Sequence, residues 1–245
     1  MKFPMKLLAA CAMVLLPALA SAAEPGFSIE LTNPNGAPLA QPLRIILMLT
    51  ALSVLPAVVI AMTSFTRTII VLSMLRHAFG MQDTPPNMVL LSMALFLTLF
   101  TMAPAFEQIN ETSIEPMLEQ NMDLRTGVGN AVTPLREFMV RQTREKDLAL
   151  MLEIARAPQP ESIDSVKTVH LIPAFLLSEL KTAFQIGFVI FLPFLLLDLV
   201  VASVLMSMGM LMVPPTIISL PLKVLMFVLI DGWGLVVRAL LGSFH

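Results

Sequence analysis

The chain has 245 residues, 57% of them hydrophobic and only 13% charged, with a formal net charge of −2 and a mean hydropathy of +0.85. A soluble domain usually carries about 25% charged residues, so the apolar surplus exceeds what one core hides and must be covered by lipid or by other apolar chains. The absence of a basic face or a block of like charge argues against nucleic acid as a partner, and the single cysteine, Cys11, rules out a disulfide within the chain.

Residues 1–22 read as a cleaved signal peptide. Lys2 and Lys6 supply a positive start, Leu7 to Leu19 an apolar stretch, and Ala20-Ser21-Ala22 a small-residue cleavage site. Cleavage there removes Cys11 and with it thiol catalysis and thiolate metal binding. Residues 23–42 form a polar lead rich in Pro, Gly and Asn, extended or loosely ordered.

Residues 43–106 predict a first apolar helical hairpin. Ile45 to Phe65 carries no charge and is interrupted only by Pro56. At about 1.5 Å per residue it is long enough for a hydrocarbon layer of about 30 Å. Arg67 ends the run, and Thr68 to Met81 continues as a helix carrying Arg76 and His77. Thr84-Pro85-Pro86-Asn87 punctuates, and Met88 to Phe106 is a second uncharged run broken by Pro104.

Residues 107–170 predict a small helical subdomain outside the bilayer, on the periplasmic side. Glu107, Glu111, Glu115, Glu119 and Asp123 recur every four residues, which sets the acids along one solvated helical stripe. Thr133-Pro134 reads as a cap and first turn. Glu137, Arg141 and Glu145 support a helix, and Pro158 and Pro160 stop it.

Residues 171–245 predict a second apolar helical hairpin. Pro173 opens it, Ile186 to Met206 is long enough to span, and Thr216 to Leu241 forms the last run. The fold class expected is an all-α membrane protein: about four long apolar helical segments in two hairpins, plus the extramembrane subdomain.

Asp198, Lys223 and Asp231 lie inside apolar runs, where a charge at the bilayer centre costs about 2.5–3.5 kcal/mol. Asp198 and Lys223 are equally far from a point between Met210 and Leu211. An antiparallel hairpin about that point puts both at one height, as a salt bridge within the hairpin or between adjacent copies; a proton relay is the other reading. Asp231 and Arg238, seven apart, share a helical face. Counting spans from a cleaved signal puts the turn of this hairpin on the cytoplasmic side, yet no Lys or Arg flanks it as the positive-inside rule asks. Pro56, Pro104, Pro193 and Pro221 read as helix breaks, which membranes tolerate in segments buried in protein or lining a cavity.

The turn reads M-S-M-G-M-L-M-V-P-P from Met206 to Pro215. Unbranched thioethers are flexible and fill irregular gaps. Met206, Met208, Met210 and Met212 point one way if the segment is extended. Copies around an axis would then present a soft apolar ring, and apolar constrictions block ions by dewetting. Packing in a core is the plainer reading. The chain has no phosphate loop, H-E-x-x-H or G-x-S-x-G, and His77, His170 and His245 are scattered. No catalytic residue, metal site or cofactor is indicated.

Five segments carry a resemblance: F-T-R-T-I-I-V-L-S-M-L-R-H-A-F-G-M-Q-D-T-P-P-N (65–87), F-M-V-R-Q-T-R-E-K-D-L-A-L (138–150), I-P-A-F-L-L-S-E-L-K-T-A-F-Q-I-G-F (172–188), F-L-L-L-D-L-V-V-A-S-V-L-M-S-M-G-M-L-M-V-P-P (194–215) and L-P-L-K-V-L-M-F-V-L-I-D-G-W (220–233). They strongly resemble the FliP family of flagellar export-gate proteins, related to the SctR proteins of virulence type III secretion. The resemblance implies a homo-oligomer of about five copies joined by FliQ and FliR and working with FlhB and FlhA. It implies a place in the flagellar basal body at the bacterial inner membrane, in contact with lipid, largely above the membrane plane, with unfolded flagellar subunits as cargo. The family's methionine gasket maps onto Met210, Leu211 and Met212, with Leu211 a departure for which Met208 compensates. Polar positions for assembly map onto Glu179, Asp198 and Lys223, and Asp231 joins them as an intramembrane acid. The competing reading, an ion-coupled transporter of small solutes, expects internal repeats that the chain does not show.

Overall fold

The computed structural model describes residues 41–244, apart from 82–83, 120–122, 159, 161, 163–164 and 211. The expected signal peptide, nearly all of the polar lead and Leu211 lie outside the described residues. The chain divides into two units, residues 1–53 and 54–245. The described part of the first begins α1 (Gln41–Ala61), where Ile45, Ile46, Leu49 and Leu52 are exposed and the Thr50 hydroxyl donates to the Ile46 carbonyl at 2.8 Å.

In the second unit, the described elements are all helical. They are α2 (Phe65–Phe79), α3 (Asn87–Ile109), a π-helical turn (Asn110–Ile114), α4 (Glu115–Glu119), α5 (Leu124–Gln142), α6 (Glu145–Ile154), α7 (Thr168–Ser207), α8 (Pro215–Leu229) and α9 (Gly232–Leu241). The organising element is α7. Its 40 residues reach about 60 Å, twice the apolar thickness of a bilayer. One helix of this length cannot lie wholly in hydrocarbon unless it tilts by about 60° or more from the bilayer normal.

Two cores lie along α7. Near its start, Leu171 and Phe175 pack with Met102 and Ala105 of α3 and with Leu135, Phe138 and Met139 of α5. Further on, Ala183 and Phe194 pack with Val71, Leu72, Leu75 and Phe79 of α2, Leu90 and Ala94 of α3, Phe227 of α8, and Val236 and Leu240 of α9. Phe79 meets Phe227 edge-on with ring centroids 4.9 Å apart, a geometry that the ring quadrupoles favour. Gly187 makes room for the Met74 side chain where α2 meets α7: a Cβ there would lie 2.3 Å from the Met74 sulfur.

The chain is an all-α membrane protein by the character of these helices. Asn87–Leu118 and α7 are each long and apolar enough to cross a membrane, and α8 with α9 passes the same test as a pair bent by 66°. Large apolar side chains such as Phe96, Phe188, Leu196 and Leu199 stand exposed. A continuous apolar surface of this kind faces lipid or other protein.

Several expectations need correction. Pro56, Pro104, Pro193 and Pro221 do not break their helices; each lies inside a continuous one. A proline removes one backbone bond, and the packing of long flanking segments outweighs that loss. Pro134 lies inside α5, which starts ten residues earlier at Leu124, so Thr133 is no cap. A π-helical turn lies between Glu107 and Glu115, and Glu107, Glu111 and Glu115 are all exposed. The last run is broken at Ile230-Asp231, so Asp231 and Arg238 do not share one helix; Asp231 caps α9 in a left-handed conformation at φ 51°.

Candidate functional site

The chemistry-bearing side chains follow one another along α7, from a buried polar belt through an ion pair to the methionine bend. The belt comes first. Arg67, in the first turn of α2, is 2% exposed, and Glu179 on α7 is fully buried. The Arg67 Nε donates to Glu179 Oε2 at 2.8 Å and Nη2 to Oε1, a bidentate pair. Nη2 also donates to Gln142 Oε1 at 3.0 Å, at the end of α5. Nη1 donates to the Ser243 carbonyl at 2.7 Å and to its hydroxyl oxygen at 2.9 Å. All five guanidinium donors are used, and the Phe244 ring stacks 3.9 Å from the cation. One side chain thus joins α2, α5, α7 and the residues after α9.

A second cluster docks α6 on the same part of α7. Buried Asp147 accepts from the Ser178 hydroxyl at 2.7 Å and from Lys181. Ser178 in turn accepts from the Arg144 N–H at 3.0 Å, and the Arg144 guanidinium donates to Thr182 at 2.9 Å and Gln185 at 2.7 Å. Burial alone would raise the Asp147 carboxyl pKa, but the hydrogen bonds from Lys181 and Ser178 outweigh it and hold the group below its ordinary value.

Further along α7, Lys223 of α8 donates to Asp198 Oδ2 at 2.7 Å. The two residues that counting set at equal distance from the bend therefore meet within one chain. Lys223 also donates to the Ala78 carbonyl at 3.1 Å. That carbonyl belongs to the last turn of α2, whose final C=O groups lack partners in the helix. The ammonium caps them at the end where positive charge is favoured. Asp198 Oδ1 is buried and makes no hydrogen bond among the described residues.

The bend itself is not the extended segment expected from alternating methionines. Met206 lies in the last turn of α7, and Met208 is its helical C-cap. Gly209 turns left-handed at φ 77°, a conformation that costs glycine nothing. Its N–H bonds the Met206 carbonyl and the Met210 N–H bonds the Leu205 carbonyl, both at 3.0 Å. This is a Schellman closure, with backbone groups satisfied by backbone. Pro215 then starts α8, where its missing N–H costs nothing. The side chains are left outside: Met208 is 66% exposed, Met210 44% and Met212 98%.

Glu179, Asp198 and Lys223 thus lie along one line of structure, Asp231 stands exposed at the α8–α9 break, and the methionines hang from the turn. Sequence reasoning missed Arg67 and Asp147. Arg67 read as the end of an apolar run because its partner lies 112 positions away; a lone arginine just inside an apolar helix was the available signal. Among the described residues, no group of three His, Asp, Glu or Cys side chains is placed to hold a metal.

Comparison with known proteins gives one family. The model of the FliP family matches residues 48–240. The flagellar biosynthetic protein FliP of Bacillus subtilis is 52% identical over 201 residues, 82% of this chain and 91% of that protein. The FliP proteins of Pectobacterium carotovorum and Caulobacter vibrioides are 50% and 46% identical over 200 and 239 residues. These cover 82% and 97% of this chain, and 78% and 89% of theirs.

Proposed function

The chain belongs to the FliP family, components of the flagellar export apparatus, and from that premise we propose that it is a core subunit of the type III export gate whose methionine bend is a deformable seal. About five copies would surround an axis at the inner membrane, in the flagellar basal body, with FliQ and FliR completing the assembly and FlhB and FlhA working beside it. Residues 107–170 would stand on the periplasmic side. Unfolded flagellar subunits would pass between the bends.

One observation carries this reading: exposed thioethers hang from a turn whose backbone hydrogen bonds close on themselves. Such a turn keeps its shape whatever its side chains do. Met208, Met210 and Met212 are then free to part around a chain and to close again, while their apolar surface keeps the closed passage dry. Asp198, Lys223 and Glu179 would hold the register of the helices that present the bend, with Asp231 at the far end of α8.

Alanine at Met210 and Met212 removes the thioethers and leaves the turn. Closed complexes reconstituted in a planar bilayer should then leak small ions, with conductance several-fold above wild type. Unchanged conductance in correctly assembled complexes would remove the seal role.

A further inference from the structure

Four methionines within seven residues are exposed at the bend: Met206, Met208, Met210 and Met212, the last at 98%. Met88 on α3 is exposed as well, but the other methionines among the described residues are not. Met62, Met102 and Met139 are buried in cores, Met102 and Met139 completely. Thioether oxidation follows access of the oxidant to sulfur. We propose that the bend is an oxidation site at which hydroperoxides convert the lining from apolar to polar and open the closed passage to ions. This inference rests on the seal reading.

The chemistry is a two-electron oxygen transfer. A sulfur lone pair attacks one oxygen of hydrogen peroxide, the S–O bond forms and the O–O bond breaks. The departing hydroxide takes the proton from the oxygen now on sulfur and leaves as water. Sulfur is oxidised and peroxide is reduced. The product, methionine sulfoxide, is a polar acceptor that binds water, whereas dewetting needs an apolar wall. The turn would survive the change, because its closure uses only the backbone groups of Leu205, Met206, Gly209 and Met210. Leu211, by composition, is inert to this chemistry. The lesion is also reversible, since sulfoxide reductases specific for each epimer restore the thioether.

The test uses assembled complexes in membranes, exposed to hydrogen peroxide. Peptide mass spectrometry should find sulfoxide at Met208, Met210 and Met212 at least about tenfold ahead of Met102 and Met139. Closed-state conductance should rise several-fold and return after treatment with both reductases. Met88, exposed on α3, is the internal control: Met88→Leu should leave the response unchanged. Met210→Leu combined with Met212→Leu should keep the passage tight in peroxide; if the double variant fails to assemble, Met212→Leu alone should reduce the response. Sulfoxide spread evenly over buried and bend methionines would overturn the proposal. So would bend sulfoxide without added conductance while the alanine variant leaks, which leaves the seal intact. If neither oxidation nor alanine causes a leak, the seal reading falls and this inference falls with it.

Discussion

Two ion pairs sit on α7, about 28 Å apart by helical rise, and they are built differently. Arg67 and Glu179 are sealed from solvent, and every guanidinium donor is used. Lys223 is also buried, but Asp198 is 35% exposed, and one of its carboxylate oxygens makes no hydrogen bond among the described residues. The first pair fastens four parts of the chain. The second joins α7 to α8 and caps the end of α2, with that carboxylate oxygen buried. A closed network costs much to disturb; a pair that water partly reaches costs less.

The largest effect should come from the closed pair. Arg67→Ala or Glu179→Ala leaves a buried charge uncompensated, at about 3–5 kcal/mol. Loss of folded protein in detergent, read by fluorescence-detected size exclusion, is the expected result. Arg67→Lys should fail to restore it, because an ammonium has three donors and no planar fork. Wild-type behaviour of the lysine variant would erase the distinction between the pairs.

Lys223→Ala should cost less, about 1–3 kcal/mol, since water reaches Asp198 and screens part of the lost interaction. Asp198→Asn should be milder still, because an amide oxygen still accepts from Lys223. Thermal unfolding in detergent ranks the three; if Lys223→Ala equals Arg67→Ala, openness makes no difference.

The pH response separates the belt from the bend. The pKa of Asp147 is lowered in the folded chain, so its contribution to stability is complete above the ordinary carboxylate value of about 4 and is lost as pH falls below that, through the lowered value of the folded state. Asp147→Asn should flatten the fall in melting temperature that sets in below about pH 4. The smallest effect is expected at Phe244→Leu, which removes the stacked ring but not the hydrogen bonds, at about 0.5–1 kcal/mol.

Local pattern carried much of this architecture. Uncharged runs marked the long helices, and equal spacing about a point brought Asp198 and Lys223 to one height. What failed was whatever local pattern does not encode. Alternating methionines suggested an extended strand, but spacing alone cannot tell two-residue from helical periodicity when a glycine ends a helix within the motif. Prolines read as breaks because their local cost is known and the packing that offsets it is not. Arg67 and Glu179 are joined only by tertiary structure, as are Asp147 and Lys181, 34 positions apart. The break at Asp231 had a trace in the Asp-Gly pair that follows Ile230, yet the apolar run on either side hid it.

Ser243 is made 176 residues after the arginine it binds. At about 5–20 residues per second, a ribosome needs roughly 9–35 s to bridge that gap. Through that interval the Nη1 donors have no native acceptor, whatever else has folded. The turn after α9 therefore completes the buried network long after its other members have been made. A chain cut before it would leave the Nη1 donors of a buried arginine without an acceptor, at a cost of about 1–3 kcal/mol for an unsatisfied buried group.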